Sequence, residues 1–96
     1  MEMKWEDLEE GDEIKFTDEF WNYATIYNQG WVWFKDDGWE DVKFLLIKRI
    51  RYLDSHPDLC ILYFSNHPYR FCINRKTGKI DSDFSPIVFE ITKLKD

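Results

Sequence analysis

The sequence predicts an all-β fold, a small antiparallel barrel or strongly curved sheet of seven to eight short strands with little helix. Three observations predict it. Apolar and polar residues alternate in one short run after another, glycine- or proline-bearing turns separate the runs at regular spacing, and few runs hold a helical period. The chain of 96 residues forms one domain, 1–96, since two cores of half that size would each need disulfides or metals. With 44% hydrophobic and 19% aromatic residues against only seven Gly and Pro, it has the material for a packed core.

Taken in order, Trp5 and Leu8 have the spacing of a helical turn that ends at Gly11-Asp12. Asp12 to Thr17 alternates, with Ile14 and Phe16 inward, and is the first strand. Phe20 to Asp41 reads as a β-hairpin closed by Asn28-Gln29-Gly30, the glycine supplying the positive φ of a three-residue loop. That register sets Tyr27 opposite Trp31 and Thr25 opposite Trp33. One face then carries Trp21, Tyr23, Tyr27, Trp31 and Trp33, and the other Ala24, Ile26, Val32 and Phe34. Asp36-Asp37-Gly38 is the next turn, with glycine again where φ must be positive.

Val42 to Leu53 fits two periods. Val42, Leu45, Leu46, Ile50 and Leu53 suit a helical face, whereas the even positions Val42, Phe44, Leu46, Ile50 and Tyr52 alternate against Lys43, Arg49 and Arg51. Its flanking turns favour a long, bent strand. Asp54 to Asp58 is a turn, Leu59 to Phe64 a strand, Ser65 to Pro68 a turn and Tyr69 to Asn74 a strand. Lys76-Thr77-Gly78 returns the chain through Lys79 to Phe84, and Ile87 to Leu94 is the last strand, with Ile87, Phe89 and Ile91 on one side.

Leu8-Glu9-Glu10-Gly11-Asp12-Glu13-Ile14, Trp21-Asn22-Tyr23-Ala24-Thr25-Ile26 and Val32-Trp33-Phe34-Lys35-Asp36-Asp37-Gly38-Trp39-Glu40 together resemble the Tudor-type small β-barrel. The resemblance covers about residues 8–42 and implies a barrel scaffold. Tudor domains hold methylated Lys or Arg in an aromatic cage by cation–π attraction. Here Asn22 and Asp37 stand where that family has cage tyrosines, Trp39 replaces the turn asparagine, and only Phe34 and Gly38 match. The resemblance therefore bears on fold more than on methyl-lysine reading.

Charge is distributed unevenly. Residues 1–41 hold thirteen acids against three lysines, a balance of −10, and residues 42–96 hold six acids against ten bases, a balance of +4. The aromatic hairpin lies in the acidic part. This points to a protein partner with a basic surface and away from direct nucleic-acid binding. The expected contact residues are Trp21, Tyr23, Tyr27, Trp31, Trp33 and Trp39 with the acids Asp36, Asp37, Glu40 and Asp41. Five such rings could present on the order of 500 Å² of apolar surface, which either docks a partner or is covered by the rest of the chain. The acids are either a solvated turn or a rim that steers basic groups; a third use, as in a phage or mobile-element inhibitor, is imitation of nucleic-acid phosphates.

Other chemistry finds little support. His56, Cys60, His67 and Cys72 lack the Cys-x2-Cys spacing of a zinc knuckle, and Cys60 and Cys72 lie symmetrically about Asn66, as buried free thiols facing each other across a hairpin. Asp36, Asp37, Glu40 and Asp41 lack the alternate-position pattern of a calcium loop. No nucleophile elbow surrounds Ser55, Ser65, Ser82 or Ser85, and no glycine-rich phosphate loop occurs, so no enzyme and no cofactor are expected. The start Met-Glu-Met-Lys-Trp-Glu-Asp-Leu lacks the features of a signal peptide, and the longest apolar run is Phe44 to Ile47. A cytoplasmic protein outside the membrane is expected.

Overall fold

The computed structural model describes residues 5–26, 38, 42–80 and 86–95. Within them lie a 3₁₀ turn, Trp5–Asp7, then β1 (Glu13–Phe16), α1 (Asp18–Ile26), β2 (Leu45–Leu53), β3 (His56–Phe64), β4 (Phe71–Asn74) and β5 (Phe89–Lys93). The five strands form one antiparallel sheet in the order β4-β3-β2-β1-β5. The fold is mostly β, as expected, but the described strands number five, not seven to eight. Among the described residues the sheet is open, with β4 and β5 at its edges, and no closed barrel forms. None of the described helices is long and apolar enough to cross a membrane.

The N-terminal turn forms as its spacing implied, with Leu8 N donating to Trp5 O at 3.3 Å. Gly11 then takes φ +96°, and Asp12, 2% exposed, locks the turn from within. Its Oδ2 accepts Glu9 N at 2.8 Å and its Oδ1 accepts Lys95 N at 2.9 Å, while its backbone oxygen accepts Ile47 N at 3.0 Å. One carboxylate thus joins the first turn, the start of β1 and the segment after β5. β1 keeps the expected alternation, Ile14 and Phe16 buried and Lys15 exposed.

The first strand of the expected hairpin is a helix. Phe20 to Ile26 is rich in β-prone side chains, but the residues before it make a helix start that outweighs them. Thr17 Oγ1 accepts Phe20 N at 3.0 Å as an N-cap, Trp21 N donates to Thr17 O at 3.0 Å, and Asp18 and Glu19 occupy the first turn, where carboxylates favour the helix dipole. Thr17 also donates its hydroxyl to Ile87 O at 2.6 Å, tying the cap to the approach to β5. The second strand of that hairpin, its Asn28-Gln29-Gly30 loop and the pairings with Trp31 and Trp33 lie outside the described residues.

Of Val42 to Leu53, Leu45–Leu53 form a strand, β2, which starts in the opposite phase to that expected. Leu45 and Ile47 are buried, whereas Phe44 and Leu46 are 45% and 39% exposed. A bulge explains the shift. Ile47 faces Phe64 and Arg49 faces Tyr63, which leaves Lys48 unpaired and restores Ile50 to the inner face opposite Leu62. A second irregularity follows. Leu53 faces His56 across a two-residue turn, Asp54-Ser55, and Tyr52 faces Cys60. Pro57, expected in the turn, therefore sits in the bulged start of β3, where its missing N–H leaves no gap in the ladder.

At the other end of the chain, Gly78 takes φ +72°, as its loop required, and a Cβ there would lie 2.5 Å from the Trp5 indole nitrogen. Lys79 and Ile80 are not in a strand, contrary to expectation, and 81–85 lie outside the described residues. Val88 is buried beside Phe89 and Ile87 is exposed, so Ile87 does not share the side of Phe89 as expected; both precede β5, and Val88 N donates to Gly78 O.

The core is a cluster of phenylalanine rings on the inner face of the sheet. Phe89 lies 4.7 Å from Phe16, 5.1 Å from Phe71, 6.2 Å from Phe64 and 6.3 Å from Trp5, centroid to centroid. Phe20 brings α1 onto this cluster, stacked on Phe16 at 5.7 Å and edge-on to Phe71 at 6.1 Å.

Candidate functional site

Of the ten residues expected to contact a partner, Trp21 and Tyr23 are described, and both lean on the core. Trp21 packs edge-on against Phe16 at 5.5 Å and Tyr23 stacks on Phe20 at 6.1 Å, each partly buried. Their place on α1 corrects the expectation that they project from a strand. Tyr27, Trp31, Trp33, Trp39, Asp36, Asp37, Glu40 and Asp41 lie outside the described residues. Gly38, between them, has φ +80° and open space around it, as a turn glycine should.

The described residues bring together a second set, on the outer face of the sheet. Antiparallel pairing sets Arg49 beside Tyr63 and Arg51 beside Ile61, all four on one face, and Cys72 pairs with Ile61 from the other side. Arg49 lies over the Tyr63 ring at 5.6 Å. Lys48 stands in the bulge and Arg70 at the head of β4, both exposed. Between the bulge and the β3–β4 loop opens a groove of about 610 Å³, walled by Lys48, Arg49 and Tyr63 on one side and His67, Pro68 and Tyr69 on the other.

Asn66 fixes that loop against β2. Its Oδ1 accepts Leu46 N at 3.0 Å and its Nδ2 donates to Phe44 O at 2.9 Å, while Ser65 N donates to Leu46 O at 2.9 Å. His67 is buried, and its Nδ1 accepts Tyr69 N at 3.2 Å. The groove wall is therefore preset by backbone hydrogen bonds.

Ion pairing is sparse. Among the described residues the pairs are Lys15–Glu90 at 2.9 Å, Lys76–Asp58 at 3.4 Å and Lys95–Glu9 at 3.5 Å. Lys48, Arg49, Arg51 and Arg70 belong to none. The Lys15 ammonium is held above its usual range by its hydrogen bond to Glu90 and that carboxylate's charge. Arg49 and Arg51 were set out in the sequence as the polar side of this strand; the bulge at Lys48 was hidden.

The cysteines are free, but they do not face each other. The β3–β4 ladder pairs Cys60 with Ile73 and Ile61 with Cys72, one residue away from symmetry about Asn66, so the two thiols point to opposite faces. Cys60 is buried and Cys72 exposed, which corrects the expectation that both are buried. Burial pushes the Cys60 thiol up to about 11, with the nearby Arg75 charge opposing, and desolvation raises Cys72 as well. In the native protein a thiol reagent at pH 8 should therefore label Cys72 and spare Cys60, with the second thiol released only in denaturant. Rapid labelling of both in native buffer would contradict this placement. His56 is exposed on β3 and far in register from His67, and no three His, Cys, Asp or Glu side chains converge among the described residues.

No protein-family model, no curated protein and no solved structure matches this chain. The Tudor likeness thus stands on the quoted residues alone.

Proposed function

We propose that this chain is a non-catalytic interaction module, which binds a basic protein surface through the acidic, aromatic stretch from Phe20 to Asp41. The observation that carries the reading is how little the protein neutralises its own acidic part. Of the described Lys and Arg, only Lys15, Lys76 and Lys95 enter ion pairs, and of these only Lys95, with Glu9, sets a base of residues 42–96 against a carboxylate of residues 1–41. Carboxylates left without internal partners act on association rate and salt dependence when a cationic partner approaches. Tryptophans beside them supply contact area at small entropic cost. With Trp21 and Tyr23 braced on the core, the contact area in this reading falls to Trp31, Trp33 and Trp39.

The test is affinity capture from lysate with the wild-type chain and with Asp36→Lys/Asp37→Lys, each repeated with added salt and added nucleic acid. Basic proteins held by the wild type and lost by the reversed variant, with an unchanged melting temperature, are the expected result. Displacement of those proteins by nucleic acid identifies a phosphate mimic acting on a nucleic-acid-handling enzyme. Identical capture by both chains overturns the proposal.

A further inference from the structure

We propose that the outer face of β2, β3 and β4 is a separate binding site, which takes an extended acidic protein segment carrying carboxylates at alternate residues. The proposal does not depend on the acidic stretch or its partner. It begins from four exposed cations, Lys48, Arg49, Arg51 and Arg70, that enter no ion pair among the described residues.

Arg49 and Arg51 are two residues apart on one strand and share a face. Their repeat is about 6.8 Å, which is also the repeat of alternate side chains along any extended peptide. Guanidinium groups at that spacing meet carboxylates two by two, each in a planar, bidentate arrangement that an ammonium does not offer. Arg49 is held ready by the Tyr63 ring. Half-buried Ile61 and Tyr63 lie between the strands as an apolar floor for the ligand's stems. The groove at the Lys48 bulge receives the next side chain, with Tyr69, 50% exposed, at its rim.

The charge of the whole molecule selects among anions. The protein carries −6 overall and measures 36 × 27 × 26 Å, so a nucleic acid running beyond this patch meets net negative surface within a few Debye lengths. A short acidic segment confines its charges to the patch. A second copy of this chain fits less well, because two molecules of −6 repel.

The experiment is fluorescence anisotropy of a labelled octapeptide of alternating glutamate and serine. The comparison probes are the same peptide with glutamine for glutamate and an eight-nucleotide single-stranded DNA. The glutamate peptide should bind, with the glutamine peptide at least roughly tenfold weaker. Arg49→Gln/Arg51→Gln should weaken binding roughly tenfold, whereas Lys43→Gln/Lys93→Gln, with the same change in net charge at exposed sites elsewhere, should alter it less than about twofold. Equal effects of the two double variants, equal binding of the two peptides, or tighter binding of the DNA would each overturn the site as described. Unchanged melting temperatures in both double variants keep the comparison clear of folding. A result for Asp36→Lys/Asp37→Lys leaves this test untouched, so the two proposals fail separately.

Discussion

Phe89→Ala is expected to lower the unfolding free energy by about 3–5 kcal/mol, the range for removing a fully buried aromatic ring. Phe89 is 0% exposed and touches the rings of Phe16, Phe64, Phe71 and Trp5, so its loss leaves a cavity bordered by four elements that cannot all close on it. A domain of this size has about 5–15 kcal/mol in total, so the variant should unfold at much lower urea, or be partly unfolded without it. Phe89→Leu, which keeps most of the volume, should recover a large part. Urea titration followed by tryptophan fluorescence measures both. A loss under about 1 kcal/mol would show that the aromatic cluster is not the centre of the core.

The second large effect is expected at Asp12. Asp12→Ala removes an acceptor from two backbone donors, Glu9 N and Lys95 N, in a site that is 2% exposed. Hydrogen bonds to a charged group contribute about 1.5–3 kcal/mol each, and the donors left behind keep part of their desolvation penalty, so a loss of about 2–4 kcal/mol should follow. Asp12→Asn retains one acceptor oxygen but sets an amide N–H₂ against the other donor. It should recover at most half. Hydrogen exchange localises the damage. The Lys95 amide should lose protection first, and an unchanged Lys95 amide in Asp12→Ala would mean that the clasp does not hold the segment after β5.

How much of this was legible in the sequence differs by element. β1 was legible because Ile14 and Phe16 alternate with polar neighbours, and the register shift between Glu13 and Ile14 places its extra residue, Thr92, on β5. The turn glycines were legible because each stands where an L side chain would be strained, and Gly11, Gly38 and Gly78 all take positive φ. β2 was legible as a strand and not in its phase. Its Lys48-Arg49 pair interrupts the alternation, which is the trace a one-residue bulge leaves in sequence, and counting straight through it turned Phe44 and Leu46 inward. α1 was misread for a different reason. Seven residues of aromatic and β-branched bias were set against Thr17-Asp18-Glu19, and a cap with two acids behind it, together with burial of Phe20 on the core, decides such a contest.

The site shows the same division. Composition located the two charge groups, but which cations share a face follows from register, and register follows from the bulge. The cysteines make the point in miniature, since a shift of one residue in the β3–β4 ladder separates two thiols that symmetry had placed together.

Because β1 lies between β2 and β5, the sheet is made of two kinds of contact. β2, β3 and β4 pair with their neighbours in sequence, whereas Phe16 and Phe89, which face each other, are 73 residues apart. Closing a loop of that length takes place before any of its contacts are gained, so the local meander forms early and the β1–β5 seam late. Until the seam closes, Phe64 and Phe71 face water on a half-built sheet, and the chain is at its most prone to associate with others. The seam then sets the lifetime of the folded state more than the speed of reaching it: contacts made across β1 and β5 slow unfolding, and contacts within the meander speed folding.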